Sequence, residues 1–145
     1  IVDAEAELRD SGKAVELINA LTDNHEGLPL AVAPLPIPQY HTQLQYQVWF
    51  DAGCDVMFQD YEVDFGASWP LDQLFDLYKD WPSDQIYPVY GGYAGAVYTP
   101  DRAHYANFFK QCADRGYLGS SVWRLDTPDT ITYLGGLEDS GMLVS

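Results

Sequence analysis

Positive charge is what this sequence has least of. Its 145 residues carry 7 Lys and Arg against 22 Asp and Glu, a formal net charge of -15. A surface of that sign repels polyanions, which argues against nucleic acid and against an anionic membrane as partners. It suits an extracellular or virion-associated setting, and equally the plain solubility of an acidic protein. Long apolar runs are also missing, and none reaches the roughly 18 residues needed to span a bilayer. No secretory leader is read in these residues. The chain opens on Ile1-Val2-Asp3, without an initiator Met and as if in mid-strand, so a longer parent polypeptide is expected.

Cysteine is nearly absent. Cys54 and Cys112 are too few for a disulfide framework and read as two small buried hydrophobes. His25, His41 and His104 sit on separate segments without metal-ligand spacing. No serine occupies a nucleophile elbow and no glycine loop matches a phosphate cradle. The acids Asp60, Glu62 and Asp64 lie close together but do not follow a calcium-loop pattern. No metal and no cofactor are therefore expected.

What is present is a repeat. Short apolar runs begin near Ile1, Leu28, Cys54, Gln85 and Ser120, roughly thirty residues apart, the length of one strand-plus-helix unit. Helical stripes follow them. Ala14, Leu17, Ile18 and Leu21 mark a helix over 12–24 with Ser11 as its N-cap. A second runs over 41–52 and stops at Gly53. Leu71, Leu74, Phe75 and Tyr78 mark a third, started by Pro70, and Ala106, Phe109 and Ala113 a fourth, from Thr99-Pro100 to Arg115. A last helix over 129–137 is interrupted in pattern by Gly135-Gly136. Strands are expected at 28–33, 54–58, 86–90 and 120–123, with Pro34, Pro36 and Pro38 forbidding regular structure after the first of these.

The fold class is thus α/β, with five βα units and parallel strands. Five strands do not close an eight-stranded barrel. The expectation is a partial (β/α)8 TIM-type barrel, residues 1–145 forming the C-terminal portion of one barrel domain whose first strands lie outside this chain. An open sheet is the alternative, and would leave edges to be covered.

Helix-to-strand turns are short, whereas strand-to-helix loops are longer and rich in acids and aromatics. That asymmetry places a binding face beyond the carboxyl ends of the strands. Asp3 and Glu5 stand at i and i+2 at a strand end, so both can face one side there. Two such carboxylates push their ionisation apart, which is what acid-catalysed glycosidic cleavage requires. Solvated or helix-capping acids are the plainer reading. Asp60 and Glu62 would share a side if their strand continues, joining Asp3 and Glu5 as candidate catalytic acids. A solvated acidic loop is again the plainer reading. Gln59, Tyr61, Tyr90, Tyr93, Trp123 and Asp126 are candidate substrate-binding residues, since flat aromatic faces with polar tips suit sugar rings. Tyr90 and Trp123, on strands, read also as core. Arg124 beside Asp126 reads as an ion pair stiffening the mouth.

Ile1-Val2-Asp3-Ala4-Glu5, a helix, and then Leu28-Pro29-Leu30-Ala31-Val32 resemble the second half of a glycoside-hydrolase barrel. The chain is similar to the lysozyme-like glycoside hydrolase family 25, and to glycosidase-like barrels of actinobacteria and their phages. Pro34-Leu35-Pro36-Ile37-Pro38, Gly53-Cys54-Asp55-Val56-Met57 with Gln59, and Gly119-Ser120-Ser121-Val122-Trp123 contribute to the likeness, which is diffuse and covers about Ile1 to Asp126. The resemblance implies Glu5 as proton donor, Asp3 as its partner, and Asp60 or Glu62 as a supporting acid. The family's first strands, which supply a further acid, have no counterpart here. The expected function is a glycoside-hydrolase-like barrel domain acting on peptidoglycan or another polysaccharide. A non-catalytic structural or carbohydrate-binding module of a virion tail or cell-surface assembly is the alternative. The remainder of the barrel, from the parent polypeptide, is the expected partner.

Overall fold

A computed structural model describes residues 1–4, 11–24, 27, 29–37, 46–124 and 130–141. Among these residues six short strands and six α-helices follow in the order β1 (Val2–Ala4), α1 (Ser11–Asn24), β2 (Ala31–Pro34), α2 (Tyr46–Asp51), β3 (Asp55–Val56), β4 (Gln59–Asp60), α3 (Glu62–Phe65), α4 (Leu71–Asp76), β5 (Val89–Gly91), α5 (Arg102–Asp114), β6 (Ser121–Trp123) and α6 (Thr130–Asp139). Every strand pairing is parallel. The protein is mixed α/β, as its apolar periodicity predicts.

The strands form two three-stranded sheets, β1-β2-β3 and β4-β5-β6. β3 and β4 lie on one extended run, and that run joins the sheets. Met57 N–H donates to Val32 O at 2.7 Å on one side, while Tyr87 N–H donates to Val56 O at 2.9 Å and Val89 N–H to Phe58 O at 2.7 Å on the other. Neighbouring strands therefore follow chain order, with no crossover that skips a strand.

Alternation along the strands sorts their side chains. Val32 and Pro34 are buried and Ala31 and Ala33 half-buried. On the next run Val56, Phe58 and Asp60 are buried, and Met57 and Gln59 between them only half so. The buried set meets the helices. Phe58 stacks on Tyr78 at 4.1 Å between ring centroids and Tyr90 on Phe108 at 4.9 Å. Trp49, Phe75 and Phe109 complete this aromatic layer. Burying each such ring contributes about 1.5–3 kcal/mol, so the helix-facing side is where stability concentrates.

Several boundaries differ from the sequence expectation for identifiable reasons. Pro34 ends β2 instead of breaking it, because a proline at a strand terminus forfeits little of the ladder. Pro70 is the N-cap of α4, with extended backbone, and not its first residue. α5 starts at Arg102, not at Pro100. Asp101 caps it by accepting from His104 N–H at 3.0 Å, and the His104 ring returns to Asp101 N–H in a reciprocal capping box. The helix expected over 41–52 is seen as Tyr46–Asp51, its first five residues lying outside the described ones. α6 does form across Gly135-Gly136, and the glycines are the reason it packs. A Cβ on Gly136 would lie 2.3 Å from Tyr105 Cβ, so α6 and α5 meet at a distance only glycine permits. Cys54 and Cys112 are buried and free, as expected.

Candidate functional site

A cavity of about 520 Å³ opens on the side of the sheet away from the helices, lined by Ile1, Ala33, Met57, Gln59, Tyr61, Val89, Ser121 and Trp123. Strand register accounts for this lining. Gln59 pairs with Val89 and Val89 with Ser121, while Gly91 pairs with Trp123. Register partners in a parallel sheet present the same face. The lining is therefore one alternate row of each strand, ending at the carboxyl edge in Gln59, Tyr61 and Trp123. Trp123 is 58% exposed, so it is a wall of the cavity and not core. Gln59 Nε2–H donates to Ala33 O at 2.6 Å, which holds its amide across the cavity floor.

β1 pairs Asp3 with Ala33, a cavity-lining residue. Glu5 and Asp126 lie outside the described residues.

The other predicted acids are placed elsewhere. Asp60 is fully buried on the opposite, helix-facing side, where Tyr78 O–H donates to its Oδ2 at 2.6 Å. Its Oδ1 has no hydrogen-bond partner among the described residues. Burial pushes its carboxyl well above the usual carboxylate range, and the Tyr78 hydrogen bond offsets only part of that. Glu62 does not share a side with Asp60, because the strand ends at Asp60 and Glu62 opens α3. Glu62 Oε1 accepts from Leu71 N–H at 3.0 Å and Oε2 from Tyr98 O–H at 2.7 Å. Asp64 accepts from Ala96 N–H at 2.9 Å and from Tyr93 O–H. These carboxylates clamp the loop after β5 onto α3 and the start of α4. Tyr90 is also corrected: it is buried against α5, and its hydroxyl lies 2.7 Å from that of Tyr98. Burial raises its phenol, as it does those of Tyr93 and Tyr98.

Tyr93 sits at the rim. Its ring meets Tyr61 edge-on, with centroids 6.1 Å apart, and the Arg124 guanidinium lies over it at 5.8 Å. Arg124 has φ 58°, the single positive φ at a non-glycine among the described residues. For a side chain other than glycine that conformation costs about 1–2 kcal/mol. Glycines hold the loop close by. A Cβ on Gly95 would approach Val63 O to 2.4 Å, and one on Gly91 would meet Val63 and Tyr93 side chains.

The structure thus brings together Gln59, Tyr61 and Trp123 around the cavity, with Tyr93 behind Tyr61, and takes Asp60, Glu62 and Tyr90 out of it. Sequence reasoning missed Ile1, Ala33, Met57, Val89 and Ser121. Period-two alternation could have found most of them, since Met57, Gln59 and Tyr61 face one way and Asp60 between them faces the other. Among the described residues no group of three His, Cys, Asp or Glu side chains could hold a metal, and no helix is long and apolar enough to cross a membrane. Comparison of the chain with protein-family models, curated proteins and solved structures finds no match.

Proposed function

We propose that this chain is the carboxyl-terminal part of a glycoside-hydrolase-like (β/α) barrel whose concave face binds a polysaccharide such as peptidoglycan. Support for the barrel comes from parallel strands that neighbour one another in chain order, with helices packed on one side and, among the described residues, a cavity on the other. β1 and β6 end the row without a further neighbour among the described residues. Strands from elsewhere in a longer polypeptide would complete the ring. The observation that carries the ligand class is the cavity row of Tyr61, Trp123 and Gln59, two flat aromatic walls beside a fixed amide.

For catalysis, the reading rests on Asp3 and Glu5. Glu5 protonates the leaving oxygen, and Asp3, on the register row of Ala33, stabilises the positive charge that develops on the sugar. Asp60 and Glu62 have no part in it.

A second reading, a non-catalytic carbohydrate-binding or structural module of an extracellular or virion assembly, is favoured by a specific observation. Asp60, Glu62 and Asp64 are all engaged in holding the fold. One experiment separates the two. Binding and hydrolysis of soluble peptidoglycan are measured for the parent polypeptide, Trp123→Ala and Glu5→Gln. Trp123→Ala should weaken binding about tenfold, the loss of one ring's stacking contact. Hydrolysis that Glu5→Gln abolishes while binding persists supports the enzyme. Binding without hydrolysis in the unmutated polypeptide supports the module. No binding by any of them refutes both.

A further inference from the structure

We infer that the cavity wall is proton-linked: Asp60, on the core side of the strand that presents Gln59 and Tyr61 to the cavity, holds both in place while its carboxyl keeps its proton and draws them out of place when it ionises. The coupling stands on the geometry of that strand, and its consequence for a ligand rests on the polysaccharide reading above. β4 is two residues long, Gln59 and Asp60, paired in register with Val89 and Tyr90. Gln59 and Tyr61 line the cavity, and Asp60 between them is fully buried on the helix side. The backbone there is tied over very short spans. Asp60 N–H donates to Phe58 O at 3.1 Å and Tyr61 N–H to Gln59 O at 3.0 Å, two successive three-residue turns. Turns of that size leave no slack, so Asp60 cannot shift without its neighbours.

The core side of β4 accommodates a neutral carboxyl and does little for an anion. Tyr78 O–H donates to Oδ2 at 2.6 Å, and Oδ1 has no hydrogen-bond partner among the described residues. The titratable groups that feel Asp60 are Tyr78 after α4, Cys112 on α5 and Tyr117 after α5, and burial keeps each uncharged near neutrality. Tyr90, its register partner, has its hydroxyl beside that of Tyr98, and Glu62 is turned to Leu71 and Tyr98. Asp76, felt by Tyr117, adds negative charge, and Arg115 lies over the Phe75 ring at 4.8 Å. An ionised Asp60 therefore has one donor and no ion-paired cation among the described residues. Buried charge without a partner is drawn toward water, and the cavity is the opening on the other face of the same strand. Rotation of β4 that brings Asp60 outward takes Gln59 off Ala33 O and Tyr61 out of the wall. Burial sets the sign, because it holds this carboxyl above the ordinary range. The wall is assembled at low pH and is lost as pH rises through the raised value.

The test follows the Asp60 carboxyl carbon, the Gln59 side-chain amide and the Tyr61 ring by NMR in the full chain, from about pH 4.5 to about pH 9. Binding of a soluble peptidoglycan fragment is measured over the same range. Gln59 and Tyr61 should move with the midpoint of Asp60, and affinity should fall above it by up to about tenfold per pH unit. In Asp60→Asn that titration should be gone from Gln59, from Tyr61 and from the affinity. Tyr78→Phe removes the donor to the anion and should move the midpoints of Asp60, Gln59 and Tyr61 to higher pH together. Gln59 and Tyr61 resonances that stay level while Asp60 titrates overturn the inference, and so does an Asp60 that keeps its proton throughout. Both results are read in the unmutated chain, whether or not the variants fold. A Gln59 titration that persists in Asp60→Asn overturns the role of Asp60. Coupled resonances without binding of the fragment at any pH leave the proton link standing and take down the polysaccharide reading.

Discussion

Replacing Asp60 with asparagine removes an ionisable group from the interior while keeping an oxygen for Tyr78 O–H, which now reaches Asp60 Oδ2 at 2.6 Å. The carboxyl is fully buried, one of its oxygens has no hydrogen-bond partner among the described residues, and its charge is felt by Cys112 and Tyr117. Burial therefore raises its folded-state pKa, with the Tyr78 bond lowering it in part. The sign follows. The folded protein keeps this proton to a higher pH than the unfolded chain does. Its contribution to stability is complete below the ordinary carboxyl value, about pH 4, and is lost as pH rises toward the raised one. Within that window the wild-type protein should lose stability, relative to Asp60→Asn, by about 1.4 kcal/mol per pH unit. Urea unfolding of both proteins at a series of pH values from about 4.5 to about 7.5, analysed at constant m, reads the difference directly. Asp60→Asn should overtake wild type as pH rises. A difference that stays flat would refute the reasoning. A difference that moves the other way would show a carboxylate stabilised as an anion.

Tyr78→Phe strips the same carboxyl of its hydrogen-bond donor inside the core, and should cost about 1–3 kcal/mol in urea unfolding at fixed pH. Glu62→Ala frees both Leu71 N–H and Tyr98 O–H, so stability should fall by about 1–2 kcal/mol and the Leu71 amide should exchange faster by NMR. Gly136→Ala would bring a methyl group to 2.3 Å from Tyr105 Cβ. It should separate α6 from α5 and lower the melting temperature, by about 1–3 kcal/mol in stability; an unchanged melt would mean that the two helices do not meet there. Arg124→Gly relieves the positive φ and should raise stability in urea unfolding by up to about 1 kcal/mol, less what the contact of its guanidinium with the Tyr93 ring contributes.

Much of the architecture was legible in the amino acids. The stripe of Leu71, Leu74, Phe75 and Tyr78 is buried as its spacing required. The apolar runs became parallel strands, one of them ended by Pro34, and two helix starts shifted by a residue or two to where Pro70 and Asp101 cap α4 and α5. The candidate site was legible only in part. Gln59, Tyr61 and Trp123 line the cavity and Tyr93 stands behind them, whereas Asp60, Glu62 and Tyr90 do not. A cluster of acids reads the same whether it awaits a substrate or holds a loop. Hydrogen bonds from Leu71, Tyr98 and Ala96, residues 9 to 36 positions away, are what distinguish the two.

Local sequence determined the strand-and-helix rhythm, the aromatic core stripes and the acidic surface, because each depends on side-chain periodicity or charge within a single segment. Tertiary structure decided which face of each strand met the helices. That choice sent Asp60 inward to Tyr78 and left Trp123 beside the cavity. A one-residue difference in register or in the point where a strand ends reverses a side chain's direction, and only the packing of distant segments selects between the two.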